Sequence, residues 1–290
     1  MFNPNSIVIE QFSAHLLTQY RRMFADADVQ AKSLELAVNT ALQTLLQCDC
    51  PYHDMHHSIL VTDVGLTILE GRQIARGDLT SHDVLQAVVA LLFHDIGYIR
   101  HLLSADSQDE SIISTEGHTV TPPKGASDAF MTPYHVTRGA MFVQSRFAND
   151  PAIDTDTVMA CIEMTRFPVP HDAAYQQTDT LPGLVRAADL IGQMADPEYR
   201  QKLSRLYAEF AETGEAKRLQ HDSIGDLRAG VPEFFYNHVQ PYIGAGIEYL
   251  KRTQEGRIWI ANLFHHLQTN PESPSMDPSH RAPELVIDNT

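Results

Sequence analysis

The feature that most constrains the fold is an apolar run that ends in two residue types able to bind metal. Residues 84–93 are apolar at nearly every position, and His94 and Asp95 follow directly. Ser81 can cap the start of a helix, and Gly97 can end it. A helix that is apolar on all sides must be surrounded by other elements. We therefore expect it at the centre of a helical bundle, with His94 and Asp95 on its last turn.

Most of the remaining chain also has the spacing of helices with one buried face, and alternating strand patterns are scarce. The sequence therefore predicts an all-α fold, a multi-helix bundle. Ser/Pro/Gly-rich loops are predicted over about residues 104–131 and 167–180. The predicted helices cover about residues 33–47, 53–76, 81–97, 154–165, 197–213, 232–242 and 245–267, with further helices that start at residues 132 and 182.

No linker-like segment interrupts the chain between Asp189 and the C-terminal tail. We predict one helical domain over residues 1–267. Residues 268–290 are rich in Pro, Ser and Asp, a composition typical of a disordered tail.

The charge balance bears on the class of partner. The chain has 37 acidic and 21 basic residues, a formal net charge of −16. This argues against binding of a nucleic-acid polymer or an anionic membrane, whereas a small anionic substrate fits if a metal ion supplies local positive charge. Three cysteines and the lack of a signal-like or membrane-spanning apolar segment favour a cytoplasmic protein.

Several of the fifteen histidines occur where metal ligands would be expected. His53 and His57 are four residues apart in a predicted helix, so both would project from one face. Taken alone, such a pair is more often a surface or capping feature. His94 and Asp95 end a buried helix, where an unpaired carboxylate is costly. The alternative is that Asp95 caps a neighbouring helix and His94 is an ordinary core histidine.

Asp189 also lies among small and apolar residues, although Arg186 one turn earlier could pair with it. Taken together, two imidazoles and two carboxylates on three helices would suit a borderline divalent ion such as Zn, Mn or Fe.

Three segments, 51–57, 90–97 and 186–190, resemble in order, spacing and helical setting the H…HD…D pattern of the HD superfamily of metal-dependent phosphohydrolases. The Tyr52-His53 pair, with His57 four residues further on, resembles the cyclic-nucleotide phosphodiesterase branch. The resemblance covers about residues 30–195. It implies an HD-type bundle with the metal site between core helices, followed by a helical extension over 196–267.

The resemblance also implies roles for individual residues. His53 corresponds to the proton donor of the phosphodiesterases, and Asp95 would bridge two ions if a second one binds. Tyr98 stands where those enzymes have a second histidine, and Asp54 replaces their usual Asn. The implied cofactor is one or two divalent ions, Mn, Mg, Zn or Fe, and the implied metal ligands are His57, His94, Asp95 and Asp189.

A second metal is held in other HD branches by two further histidines between the HD pair and the final Asp. His135 resembles the first of them. The second would fall near residues 162–166, where Glu163 and Thr165 stand and no histidine does. His118 and His171, in the predicted loops, are candidate substitutes.

The resulting functional hypothesis is an enzyme, a phosphodiesterase-like metal-dependent phosphohydrolase. It would hydrolyse a phosphoester or phosphodiester of a nucleotide-like small molecule by metal-activated water, with a proton from His53 for the leaving oxygen. Arg138, Arg166 and Lys124 are candidate phosphate contacts, and Tyr98 is a further candidate site residue.

Two alternatives come from other functional classes. One is a non-catalytic regulatory HD domain that binds a nucleotide. The other is an HD-fold di-iron oxygenase, which needs six ligands. These could be His57, His94, Asp95, His118, His135 and Asp189. Metal content and dioxygen dependence would separate the three hypotheses.

Overall fold

The computed structural model describes residues 3–268, which form helices and one short hairpin, so the predicted all-α class is confirmed. The hairpin joins β1 (Ser111–Ile112) and β2 (Thr119–Val120), which pair antiparallel. The helices are α1 (Pro4–Met23), α2 (Asp28–Leu45), α3 (Met55–Arg76), α4 (Ser81–Phe93), α5 (His135–Phe147), α6 (Thr155–Glu163), α7 (Leu181–Met194), α8 (Tyr199–Thr213), α9 (Glu215–Arg218), α10 (Ile224–Ala229), α11 (Val231–Phe234), α12 (Gln240–Leu250) and α13 (Gln254–Gln268). Short 3-10 segments cover Ile96–Tyr98, Asp128–Met131 and Ala173–Gln176, and a π turn covers Phe235–Val239.

Helix α4 is the centre of the core, as its apolar run predicts. Residues 84–93 are each at most 1% exposed, and the helix contacts α2, α3, α6 and α7. The predicted cap is wrong by one residue. Thr80 caps the helix, because its side chain accepts from the Asp83 amide at 3.1 Å while the Asp83 carboxylate accepts from the Thr80 amide at 2.8 Å. Ser81 is the first helical residue.

Helices α3 and α7 pack at unusually close range. A Cβ atom on Gly192 would lie 2.9 Å from the Cα of Val61, a distance that real side chains do not tolerate. His57 is one turn before Val61 in α3, and Asp189 is one turn before Gly192 in α7. The absence of a side chain at Gly192 therefore lets the two helices bring His57 and Asp189 together.

A second close contact positions α5. A Cβ atom on Gly97 would lie 1.9 Å from the carbonyl oxygen of His135, so only glycine fits there. This contact holds the start of α5 beside the turn that contains Asp95. The predicted helix start at Thr132 is wrong, because Thr132 ends a 3-10 segment and its hydroxyl donates to the Ala129 carbonyl at 2.6 Å.

The start of α3 also differs from the prediction. Its cap is Asp54, whose Oδ1 accepts from the amides of His56 and His57 at 2.9 and 3.0 Å. His53 therefore precedes the helix and does not share a helix face with His57, although the two rings still lie side by side, with centroids 5.7 Å apart. The helix ends at Arg76 with Gly77 in the left-handed conformation as its cap, which confirms the predicted end at about residue 76.

The last third of the chain is more segmented than its periodicity indicates. The predicted helix over 232–242 is divided among α11, the π turn and α12. The predicted helix over 245–267 is interrupted at residues 251–253, between α12 and α13. Both α12 and α13 pack on α3 and α7. The single domain over 1–267 stays a prediction, and the predicted tail lies outside the described residues apart from Gln268.

None of the described helices combines the length and the apolar character needed to cross a membrane.

The long loop between α4 and α5 is held by a buried ion pair. Arg138 of α5 and Asp106 of the loop have side chains that are 0% exposed, with 3.0 Å between Nη2 and Oδ2. The Arg138 guanidinium also donates to the carbonyls of Gly97 at 3.0 Å, Ile99 at 2.7 Å and Ile112. Its donors are thus used within the fold, which corrects the prediction that Arg138 contacts a phosphate.

We predict that Asp106→Asn lowers the free energy of unfolding by about 3–5 kcal/mol at pH 7, because it leaves a buried guanidinium uncompensated. Burial raises the pKa of Asp106, but Arg138 and two backbone amides lower this pKa by a larger amount, so its net shift is downward. A carboxylate with a depressed folded-state pKa stabilises the fold above its unfolded value of about 3.9, and loses that effect as pH falls through the folded-state pKa. Urea unfolding of both proteins should show the difference shrinking in acid.

Asp109→Asn is the matched control, since Asp109 lies in the same loop with an exposed side chain. Equal urea midpoints for the two variants would show that the Arg138 pair contributes no stability.

Candidate metal centre

Three core helices bring two imidazoles and one carboxylate to a single point. His57 lies in the first turn of α3, His94 directly follows α4, and Asp189 lies in α7. The Oδ1 atom of Asp189 is 3.5 Å from the Nε2 atom of each histidine. The three ligand atoms lie within 4.8 Å of one another, and the side chains are 6%, 1% and 18% exposed. This group can hold a metal ion.

Asp95 lies beside this group in the turn after α4. Its Oδ2 atom is 3.4 Å from Nε2 of His57 and 3.2 Å from Nε2 of His94. Both Oδ2 of Asp95 and Nε2 of His94 are buried without a hydrogen-bond partner among residues 3–268. The alternative in which Asp95 caps a helix is therefore not what the structure has.

The hydrogen bond on the other nitrogen of His94 identifies the free atom. Nδ1 lies 2.7 Å from the Leu91 carbonyl oxygen, which can only accept, so Nδ1 carries the proton. In the neutral form of the ring, Nε2 carries a lone pair that faces the oxygens of Asp95 and Asp189. Unpaired buried atoms of this kind are rare in folded proteins, and a cation between them would satisfy both.

The electrostatics of the group require positive charge. Burial raises the pKa of Asp95 and of Asp189, but neighbouring histidines lower each pKa by more, so both carboxylates stay ionised. Burial lowers the pKa of His94, and the two carboxylates raise it well above its usual range. Two ionised carboxylates in a buried site are thus balanced either by imidazolium or by a metal ion.

His53 reaches the site from the segment before α3, held by a residue of α8. Its Nδ1 atom is 2.6 Å from Oε2 of Glu209, whose side chain is 3% exposed. The other carboxylate oxygen of Glu209 accepts from the amides of Tyr52 at 2.6 Å and His53 at 3.2 Å. Ring centroids of His53 and His57 are 5.7 Å apart. Glu209 therefore fixes both the backbone and the ring of His53 beside the metal ligands.

Burial lowers the pKa of His53, but the charge and hydrogen bond of Glu209 raise it by more, with a net rise to about 9. His53 is consequently protonated at neutral pH and can donate a proton.

Tyr98 fills the position between two histidines. Its ring stacks on His53 with a centroid distance of 4.7 Å and on His135 with one of 4.3 Å, both at 15°. Tyr98 also lines the cavity described below. Its stacked position indicates that it orients the two imidazoles.

His135 is the histidine best placed beside Asp95 for a second ion. Its Nε2 atom is 3.8 Å from Oδ1 of Asp95, on the side of that carboxylate away from His57. Nδ1 donates to the Thr132 carbonyl at 2.7 Å. Burial lowers the pKa of His135 to about 4, so the ring is neutral at pH 7 and offers a lone pair.

Three other candidates for a second metal lie elsewhere. His118 is exposed in the hairpin, with its Nδ1 atom 3.0 Å from the hydroxyl of Ser114. His171 is exposed in the loop before α7. Glu163 is paired with Arg166 at 2.6 Å and with the Tyr175 hydroxyl at 2.7 Å. None of His118, His171 and Glu163 lines the cavity in the described part of the chain, so sequence proximity misassigned them.

His57, Asp95 and Asp189 line a cavity of about 1020 Å³. Arg186 lines it and is 2% exposed, but it is not paired with Asp189, contrary to the alternative that the sequence allowed. Its guanidinium donates to the Tyr175 carbonyl at 2.5 Å and lies 4.3 Å from the ring centroid of Tyr242. No carboxylate among the described residues forms an ion pair with Arg186 under a 4.0 Å limit, and its Nε atom is buried without a partner.

Lys124 and Arg166 also line the cavity, and their contact with a phosphate stays a prediction. Arg166 is already paired with Glu163, whereas Lys124 is exposed.

Glu209 is the site residue that the sequence analysis missed. A signal was present, because Leu203, Leu206 and Phe210 form an apolar stripe along α8 and Glu209 lies within it. Glu209 is 2% exposed, as expected for a position on that stripe. A carboxylate on the buried face of a helix predicts a buried cationic or imidazole partner.

The fold and the site together define an all-helical protein with a buried His/Asp group that can hold a metal ion. Residues 2–271 match the family described as Npun_R2479-like, and the chain belongs to this family. No curated protein matches the chain.

We predict that His57→Ala weakens binding of Mn²⁺ or Zn²⁺ more than about 100-fold. Loss of a residue that only hydrogen-bonds to a metal ligand already costs about 10- to 100-fold in affinity, and loss of the ligand itself costs more. Metal content after dialysis, measured by mass spectrometry, tests this. His56→Ala is the control, because His56 is the neighbouring residue with an exposed ring beside Asp54 at 3.6 Å. Equal loss of metal from the two variants, or no loss from either of them, would contradict this assignment.

Proposed function

We propose that the protein is a metal-dependent phosphohydrolase of the HD superfamily, which hydrolyses a phosphoester or phosphodiester bond of a small molecule. The observation that carries the proposal is the contact of His53 with Glu209, which holds the His53 ring 5.7 Å from that of the metal-ligand candidate His57. Departure of an alkoxide from a phosphoester is promoted by a proton donor at this position, next to the ion that would hold the phosphoryl group.

The donor set fits a divalent ion held by His57, His94, Asp95 and Asp189. The unpaired buried atoms of His94 and Asp95 would both gain a partner. Mixed nitrogen and carboxylate ligands suit Zn, Mn or Fe. When bound, such an ion supplies positive charge that polarises the phosphoryl group and promotes deprotonation of a water molecule. A second ion would be held by His135 and the other oxygen of Asp95.

In this reaction His53 donates its proton to the leaving oxygen. Nδ1 is held by the Glu209 carboxylate, which leaves Nε2 as the atom that transfers a proton. Glu209 acts as a positioning residue, since it fixes the ring and favours its protonated form. Tyr98, stacked between the two imidazoles, restricts the rotation of the His53 ring.

Arg186 is the cavity-lining cation best suited to bind phosphoryl oxygens. It is buried, no carboxylate among the described residues pairs with it, and its two Nη atoms donate to the carbonyls of Tyr175 and Gln177. A guanidinium in such a setting favours an anionic ligand over a neutral one. Lys124 can add a second, solvent-exposed positive charge.

The two alternative hypotheses have weaker support. An HD-fold di-iron oxygenase would need His118 as its sixth ligand, and His118 is exposed in the hairpin away from the cavity. Neither the oxygenase nor a non-catalytic nucleotide-binding domain requires a protonated histidine held by a buried carboxylate. The His53–Glu209 pair therefore favours hydrolysis over both alternatives.

We predict that His53→Asn lowers kcat by about 10²- to 10⁴-fold while metal content stays at the wild-type level. The loss should be larger for an alkyl phosphodiester than for bis-p-nitrophenyl phosphate, because p-nitrophenolate leaves without needing a proton. Rates with Mn²⁺ for both substrates, with His56→Asn as the control, test this. Equal losses for the two leaving groups would contradict proton donation by His53.

The same assignment predicts the pH profile. Activity that requires protonated His53 falls as pH rises through the pKa of this ring. Burial lowers that pKa and Glu209 raises it by more, which gives a net value of about 9. Glu209→Gln removes the charge that raises this pKa, so the alkaline limb of the kcat profile should move to lower pH. A limb that stays in place would show that Glu209 has only a structural role.

Metal analysis separates the functional classes. Two irons, dioxygen uptake and no hydrolysis would favour the oxygenase. A purified protein that binds no divalent ion would contradict both enzyme hypotheses.

A further inference from the structure

The cavity beside the metal centre is larger than a small phosphoester needs. Its volume of about 1020 Å³ is at the upper end of the range of roughly 300–1,000 Å³ that is usual for ligand sites. Much of its wall comes from the C-terminal helices and is apolar. The side chains that form this apolar wall are Phe167, Leu206, Phe210, Leu227, Val231 and Phe234.

The wall begins at the proton donor. Helix α8 supplies Glu209, which holds His53, and the wall residues Leu206 and Phe210 lie three positions before and one position after it. A general acid protonates the leaving oxygen, so the group attached to that oxygen must lie on the His53 side of the site. The leaving group is therefore directed along the apolar wall of α8, α10 and α11. This step rests on the proposed hydrolase function.

Three charged side chains that line the cavity, Arg218, Glu212 and Glu215, are engaged with protein partners. Arg218 pairs with Glu215, with 2.7 Å between Nε and Oε2. Glu212 accepts from the amide and hydroxyl of Ser127, both at 2.7 Å. These groups would have to give up existing partners to bind the hydroxyls of a sugar, whereas the apolar wall needs no such exchange.

The cavity mouth is also apolar. Phe167 is 46% exposed and contacts Phe234 with a centroid distance of 5.7 Å. A large exposed aromatic side chain at the entrance of a cavity is typical of a site that receives an apolar ligand.

We infer that the substrate is a phosphoester whose leaving alcohol carries a long alkyl chain, with the chain along the apolar wall and the phosphoryl group at the metal centre. Water contributes its oxygen to phosphorus, the P–O bond to the chain breaks, and the alkoxide leaves with the proton from His53. A proton from the attacking water restores His53, so the products are the alcohol and the phosphate.

Binding of unhydrolysable alkylphosphonates tests this assignment independently of turnover. Isothermal titration of the Mn²⁺-loaded protein with butyl-, hexyl- and octylphosphonate, below their micelle concentrations, should give a Kd that falls about fourfold per added methylene. A Kd that does not change with chain length, or tighter binding of adenosine monophosphate than of octylphosphonate, would overturn the inference.

Variants of the wall provide a second measurement. Phe234→Ala and Phe167→Ser should each reduce the ratio of the butylphosphonate Kd to the octylphosphonate Kd by about tenfold. The Phe167 side chain is more exposed, so its substitution is less prone to cause misfolding. Ile258→Ser, 55% exposed and outside the cavity, is the control that should keep the full ratio. An unchanged ratio in both wall variants would contradict the assigned position of the chain.

The outcomes distinguish this inference from the proposed function. A chain-length dependence without any phosphoester hydrolysis would support the alkyl site and contradict the hydrolase. Hydrolysis of bis-p-nitrophenyl phosphate together with an alkylphosphonate Kd that does not change with chain length would support the hydrolase and contradict the alkyl site.

Discussion

Burial of the Asp95 carboxylate after α4 is the constraint on which the site depends. This side chain is 5% exposed, and one of its oxygens has no hydrogen-bond partner in the described chain. An uncompensated buried carboxylate costs several kcal/mol, so the surrounding helices must supply positive charge or a cation. Histidines from three directions, His57, His94 and His135, point their Nε2 atoms toward this carboxylate. This arrangement of one carboxylate and three imidazoles is suited to bind a cation.

The fold was predictable where local sequence and burial agree. Helix α4 could be predicted because residues 84–93 are apolar on every side, and the ends at Gly77 and Asp154 because their cap chemistry is local. The breaks within residues 230–254 were missed, since the apolar spacing continues across them. Helix α1 was not predicted, although its buried side chains follow helical spacing from Ile9 to Tyr20.

The candidate site was predictable to the same extent. His94 and Asp189 were identified because each is a metal-binding residue type in an apolar setting, and His57 by its spacing and its place in the H…HD…D pattern. The structure brings the three together. The contact between His53 and Glu209 joins residues 156 positions apart, so no local pattern could reveal it. Arg138 illustrates the opposite error, because a cation near the site in sequence turned out to be buried in the fold.

The two parts of the chain contribute different properties to the proposed reaction. Residues 30–195 carry the candidate metal ligands, and α8 lies beyond them in the C-terminal extension. That helix contributes Glu209, which controls the proton donor, and Leu206 and Phe210, which line the cavity beside it. Because one helix face carries both functions, a shift of α8 would change the ionisation of His53 and the room for the leaving group together. Substitutions in the extension can therefore change the preference for a leaving group, while the candidate metal ligands on α3, on α7 and directly after α4 keep their geometry.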